Sequence, residues 1–497
     1  MLNTYEHTTD RPDRSRQPDR PFDRTLRGWL PLLLAAGWML ATFGMFWTGG
    51  MASEVPNPLR LTGFVLAATG AFALGYAIRI GRRRRPRQVS AVGRTASRRR
   101  ITRLVVAGAI YHIALGLALL GEYGATGPAS IWASLQDPAG AYVSKFAVYE
   151  QQQDAGRVNP AIQMLTLLGV LGTVLVPLLV VHWSRLSRAT RFIGVTGMAT
   201  YGLFFLFIGT LKGLGDIAIM VGGGLLVTSA TVVRRTSRVE RAKRRRLLAL
   251  AGTIGILFCG YMVTSQADRI DRFGIQDRVP PNRTVEAVAG THLATGVAAL
   301  VHYPTHGYLG LAYNLETPFE WSHGLGSTPA VASYAQQYFG TDIAEYPSYP
   351  VRTESRTGWP AGLYWSTIYP WLASDLTYPG VVVFMAALGW LFAATWVGAV
   401  QARRTLPLLL FVQLCVLVAY IPANNQLGMS RPSMIGLVAL AGWWLATQVA
   451  AVDAGLRDVG PQPWVLTQAA GRAERPGRPP IGGTQPGPAT KTGPLPW

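Results

Sequence analysis

The stretch FIGVTGMATYGLFFLFIGTLKGLGDIAIMVGGGLLVTSATVV, residues 192–233, decides the fold class. It reads as two apolar runs, 192–211 and 213–233, with only a turn near Lys212 between them. A bilayer core about 30 Å thick needs roughly 20 apolar residues per helix. Each run meets that length, so the segment is expected to be a tight pair of spans. Gly222, Gly223 and Gly224 lie inside the second run. Close helix packing explains them better than phosphate binding does.

Outward from this pair the pattern recurs at 29–48, 59–80, 104–121, 161–183, 247–264, 379–400, 406–422 and 433–452. Of the 497 residues 49% are apolar and only 14% are charged, a balance that belongs to membrane proteins rather than to a string of soluble domains. The expected fold is an all-α polytopic membrane protein of about ten transmembrane helices. One large extracytoplasmic loop separates helices seven and eight. Residues 1–28 form a polar, disordered tail. Helices one to seven occupy 29–264, the loop 265–378 and helices eight to ten 379–452. Residues 453–497 form a second disordered tail, rich in Pro and Gly.

A net charge of +21 raises the possibility of nucleic acid, and the distribution of charge argues against it. Arg82 to Arg85, Arg98 to Arg100, Arg185, Arg188, Arg191, Arg244 to Arg246, Arg403 and Arg404 sit in connectors between apolar runs. With ten spans, all these connectors and both tails share one side. The positive-inside rule makes that side, and both termini, cytoplasmic, in a plasma membrane. The charge then implies anionic lipids as partners and no nucleic acid. Cys259 and Cys415 both lie in apolar runs, and their spacing suits neither a disulfide framework nor a metal site. There is no P-loop, no GxGxxG after a strand, no HExxH, CxxC or GxSxG, so no cofactor and no metal are expected.

The loop 265–378 holds four of the seven His and ten of the nineteen Tyr, which marks it as the place for chemistry. Its stretch 284–303 (TVEAVAGTHLATGVAALVHY) is apolar enough to imitate another span. Glu286, His292 and His302 make insertion expensive, so a peripheral or re-entrant helix is expected there. Pro347, Pro350 and Pro360 forbid long helices further on. Ahead of the loop, Asp137-Pro138 signals a helix start, and Ala141 to Gln153 reads as a surface helix bearing Lys145.

The outer side carries few cations: Arg60, Lys145, Arg157, Lys212, Arg269, Arg272, Arg278, Arg283, Arg352, Arg356 and Arg431. Lys212 is held near lipid headgroups, as a ligand for substrate or as a snorkelling anchor. Arg352 and Arg356 are four apart around Glu354. On a helix they share a face and grip a diphosphate bidentately; otherwise they are solvated and pair with Glu354. Arg431 ends the short segment ANNQLGMSRP as a substrate contact or a helix-end residue. Arg269, Arg272, Arg278 and Arg283 interleave with Asp268, Asp271 and Asp277, the pattern of a salt-bridged, solvated face. His302 and His306 suit a base and its helper, although Pro304 interrupts a helix between them. Glu316 and Glu320 are carboxylates for base chemistry or for sugar hydroxyls. Trp321, Trp359 and Trp365 suit sugar stacking or an interfacial belt.

These features together resemble the O-antigen polymerase family, the Wzy-like oligosaccharide repeat-unit polymerases of bacterial envelopes. GTLKGLGD (209–216) resembles the family's short basic turn between paired spans. PFEWSHGLGSTPAV (318–331) resembles its Gly-rich loop, and GWPAGLYWSTIYPWLASDLTYPGVVVF (358–384) its polar, aromatic entry into the next span. The resemblance implies a bacterial glycosyltransferase that moves a growing glycan from undecaprenyl diphosphate onto a new lipid-linked repeat unit. It also implies a chain-length regulator as partner. In that reading Lys212, Arg352, Arg356 and Arg431 meet the diphosphate, and His306 or Glu320 serves as base. Cations do the work of a metal. The related O-antigen ligases share the plan and use a His of the large loop, which keeps His306 open to that role. A flippase or exporter of lipid-linked sugars is the alternative from another class. It needs ionisable groups at mid-span, where this chain offers little beyond His112 and, near a span end, Asp216.

Overall fold

The computed structural model describes residues 26–81, 98–154, 159–231, 259–272, 283–342, 347–362, 364–401 and 403–457, with isolated positions between 252 and 281. Among these residues every regular element is helical. Seven helices are long and apolar enough to cross a membrane: α1 (Leu26–Trp47), α2 (Pro58–Gly81), α3 (Arg98–Glu122), α8 (Arg188–Phe207), α9 (Lys212–Thr231), α16 (Ile368–Val400) and α19 (Arg431–Arg457). α6 (Pro160–Leu167) and α7 (Leu175–Val181) form a further pair around a bend of 58°. The bend falls where Gly169–Thr173 tightens into a 3-10 turn and where Gly169 lies against the backbone of Pro432, with no room for a Cβ. α17 (Thr405–Ala419) is apolar but only 15 residues long. The run expected over 247–264 falls largely outside the described residues, as do Arg157 and Arg278. The described residues up to Trp444 make one compact unit, and the end of α19 from Leu445 belongs to a second.

Glycine sets the main helix crossings. A Cβ on Gly75 of α2 would strike the backbone of Ala386, and one on Gly389 of α16 would strike that of Phe72. Between two helices in lipid there is no hydrophobic drive, so backbone proximity supplies the contact. Aromatic rings fill the flanks: Phe72 packs on Phe392 at 5.9 Å, and Phe392 stacks on Phe411 at 5.0 Å. α1 is tied in by polar bonds, with the Tyr76 hydroxyl donating to Gly28 O at 2.6 Å and Trp38 Nε1 to Ala419 O at 2.8 Å.

The remaining elements are short and cap this bundle. α4 (Pro128–Gln136) leads into α5 (Pro138–Asp154), which starts where Asp137 Oδ1 accepts the Gly140 N–H at 2.8 Å. This is the helix read from Asp137-Pro138. Helical residues 259–272 form α10. The stretch 284–303 is two helices, α11 (Arg283–Ala289) and α12 (Thr291–His302), broken at Gly290, whose φ is +80°. α13 (Gly307–Glu316), α14 (Pro329–Phe339) and α15 (Tyr349–Thr357) follow, each begun beside a Pro or a Gly. The expected loop end at 378 falls beside a break in the helix. α16 already begins at Ile368, and Thr377, with φ 63° and ψ 164°, marks a kink inside it. The residues ahead of the kink, through Ser374, are buried. A single-turn α18 (Gln426–Met429) precedes α19.

Candidate functional site: a cation cluster at the head of α9

Two apolar helices, α8 and α9, end and begin within a few residues of each other, as the 192–233 reading expects. The turn between them is shaped by Gly209 (φ +59°), which packs so closely on Pro138 O and the Tyr142 backbone that no Cβ fits. That contact brings α5 over the head of α9. Lys145, on α5, lies with Nζ 4.5 Å from the Tyr142 ring centroid and 4.2 Å from that of Phe146. Arg269, on α10, sits over the other partner of that turn. Its guanidinium carbon is 4.2 Å from the Tyr142 centroid, and its Nη2 donates to Gly209 O. Arg269 Nε is buried and without a hydrogen-bond partner among the described residues.

Three cations from three elements therefore crowd one place. Burial, then the charges of Arg269 and Lys212, push the Lys145 ammonium down to about 8. Burial is the larger cause, and the two neighbouring cations add to it in the same direction. Lys212 is half-buried at the start of α9. The carboxylate at hand is Asp216, one turn along. Gln426 Nε2 lies 3.5 Å from both its oxygens, and the Tyr420 hydroxyl donates to it. Burial pushes the Tyr303 hydroxyl up to about 12, against the opposing field of Arg269, so it stays neutral. The cluster is fit to receive an anion with several oxygens. The interleaved Arg and Asp of 268–283 pointed instead to a solvated face. That reading fits Arg272, which pairs with Asp137 at 3.0 Å, and not Arg269. Only the packing of α5 and α10 on the Gly209 turn separates the two.

The other residues expected at a site have different surroundings. Arg352 is 7% exposed and its guanidinium is committed to the backbone. Nη1 donates to Pro318 O at 2.6 Å, Nη2 to Glu320 O at 3.3 Å and Nε to Pro347 O at 3.3 Å. Arg356 lies on the same helix, α15, but is exposed, and the two do not form a shared grip. Arg431 docks α14: Nε donates to Ser333 Oγ at 2.9 Å and Nη2 to Ser333 O at 3.0 Å, with the Tyr334 ring 4.3 Å below. These two arginines hold loops and helices in place, and neither presents a free fork to a diphosphate.

His306 is placed as a pin. The backbone N–H of Trp365 donates to its Nε2 at 3.1 Å, so the proton rests on Nδ1, which donates to His302 O at 3.1 Å. Burial and the neighbouring His302 hold its pKa down to about 3. With its one lone pair engaged, His306 has none left to accept a proton from a substrate. His302 and Trp365 stack on its two sides at 5.1 Å each. Trp365 is half-buried in that stack, and Trp359 is 7% exposed with Nε1 donating to Trp365 O at 3.2 Å. Trp321 differs, at 57% exposed, and so does Glu320, whose side chain is 66% exposed and 3.6 Å from Arg352 Nη1. Among the described residues no group of His, Cys, Asp and Glu is placed to hold a metal ion. No protein-family model matches this sequence, and the searches of curated proteins and of solved structures likewise return no match.

Proposed function

We propose that this protein is a membrane glycosyltransferase of the polymerase kind. It transfers a growing glycan from undecaprenyl diphosphate to a lipid-linked oligosaccharide on the outer face of a bacterial plasma membrane. The observation that carries the reading is the crowding of Lys145, Lys212 and Arg269 at the turn between two membrane-length apolar helices. A lipid diphosphate puts its anionic head at that depth and its chain along the helices. Anionic lipids share that face, and a chain-length regulator is its expected partner.

In the reaction an acceptor hydroxyl oxygen forms a bond to the anomeric carbon. The bond from that carbon to the diphosphate oxygen breaks, and its electron pair leaves with the diphosphate. Charge therefore grows on the leaving group, and the cations lower the barrier to the extent that they bind that grown charge more tightly. The hydroxyl proton goes to a carboxylate. Asp216, beside Lys212, takes this role in place of His306, whose lone pair is engaged.

The test has two readouts. In purified full-length protein, Lys212→Ala and Arg269→Ala should each weaken binding of undecaprenyl diphosphate on the order of tenfold, the worth of one charge-assisted contact. Asp216→Asn should bind it like wild type. In cells lacking the gene, the surface glycan ladder should collapse to single repeat units, and Asp216→Asn should not restore it. A full ladder in the deletion, or no diphosphate binding by wild type, sinks the reading.

A further inference from the structure

The segment from Pro318 to Ser327 is an irregular loop held far more tightly than its lack of secondary structure suggests. At its start, Arg352 donates to Pro318 O and Glu320 O. At its end, the Asp375 carboxylate accepts from Ser322 Oγ at 2.7 Å, Gly324 N at 2.7 Å and Ser327 N at 2.8 Å. Ser322 N donates to Ser374 O at 3.2 Å, and Asn425 Nδ2 to Ser327 O at 2.6 Å. Gly326 lies so close to Ser322 and Ser374 that a Cβ would collide with both. His323 is held at φ 52° and Gly324 at φ +85°, conformations that the clamps sustain.

What this rigid frame displays is specific. Glu320 and Trp321 point outward at the centre of the loop, and His323 lies with its ring 4.3 Å from that of Trp321. The buried Arg352 guanidinium lies 3.6 Å from Glu320 Oε1 and draws the carboxylate toward the loop's anchored start. A large exposed ring on a rigid loop, with an oriented carboxylate next to it, matches the two faces of a pyranose. The apolar C–H face of the sugar stacks on the ring, and its hydroxyls donate to the carboxylate. A lipid-seated tryptophan fits less well, because the acidic side chain beside it resists transfer into the acyl region.

We propose that Trp321 and Glu320 form a pyranose-binding platform that seats one sugar of the glycan. Rigidity is the reason it works, since a preordered ring and carboxylate lose little freedom when the sugar arrives. The proposal rests on the glycan-transfer reading for why the protein needs a sugar site, but its binding step is measured separately.

The experiment is saturation-transfer NMR on the full-length protein in an amine-oxide detergent, because maltoside headgroups are themselves pyranoses. The probes are the methyl pyranosides of glucose, galactose, mannose, rhamnose and N-acetylglucosamine. Wild type should saturate the C–H protons of one ring face of at least one probe. Trp321→Ala should abolish that signal, Trp321→Phe should keep most of it, and Glu320→Gln should weaken affinity severalfold. Lys212→Ala should leave it unchanged, which separates this outcome from failure of the diphosphate site. No saturation of any probe by wild type, or an undiminished signal in Trp321→Ala, overturns the platform and leaves Trp321 as an interfacial ring.

Discussion

The loop around Arg352 and the turn around Lys212 both gather cations beside aromatic rings, yet they treat charge in opposite ways. Arg352 spends its donors on the carbonyls of Pro318, Glu320 and Pro347. Arg431 does the same for α14. Lys145 lies in the fields of Lys212 and Arg269, and the Arg269 Nε finds no partner among the described residues. A satisfied cation stabilises the fold and has little left for a ligand. A crowded one costs stability and gains it back when an anion arrives. Sign of the effect on stability is therefore the property that distinguishes the two regions.

The largest expected effect is at Arg352. Arg352→Ala should lower stability by about 3 kcal/mol, because buried carbonyls lose charged donors. Arg356→Ala, one turn along the same helix but exposed, should stay within about 0.5 kcal/mol. Thermal unfolding of both variants in detergent checks this, and equal losses would erase the distinction.

Next comes the acid limb of stability. His306 is held at about 3, below its ordinary 6.5, so between these values the unfolded chain binds the proton and the native chain does not. Stability then rises with pH across that window and falls as pH drops below about 6.5, by about 1.4 kcal/mol per pH unit for each such group. His302, held down to about 4, adds a second contribution. In His306→Gln the slope of midpoint against pH between about 4 and 6.5 should fall to roughly half. An unchanged slope would mean that the Trp365 bond does not hold the ring neutral.

The smallest effect has the opposite sign. Lys145 is held at about 8 against its ordinary 10.5, so its charge opposes folding at neutral pH. Lys145→Met should raise stability on the order of 1 kcal/mol, after discount for partial exposure. It should also weaken diphosphate binding. In wild type that binding should fade as pH rises through about 8, and in Lys145→Met this fading should be absent. A destabilised Lys145→Met would place Lys145 with the structural arginines instead.

Several elements were legible in residues alone. Two apolar runs flanking Lys212 gave α8 and α9, because length and hydropathy suffice to define a membrane helix. Asp137-Pro138 gave α5, because an acidic side chain before Pro caps a helix start. Pro347, Pro350 and Pro360 excluded long helices in their stretch, where α15 is only nine residues long. The division of labour among the cations was not legible. Arg352 and Arg356 look alike in sequence, and their environments differ because α15 buries one face against the 318–320 backbone. Arg269 looks like its neighbour Arg272 until Gly209 draws α5 onto the turn and Tyr142 comes beneath the guanidinium.

By itself, then, the sequence determined the helical membrane architecture, through apolar length, glycine and proline. Those are local properties, fixed by the chain's own neighbours and by the thickness of a bilayer. Only the tertiary structure decided that His306 is a pin, that Arg352 is a clamp, and that Lys145, Lys212 and Arg269 share one place. Each of those outcomes depends on groups far apart in the chain, and on whether a backbone carbonyl or another cation is the nearest neighbour.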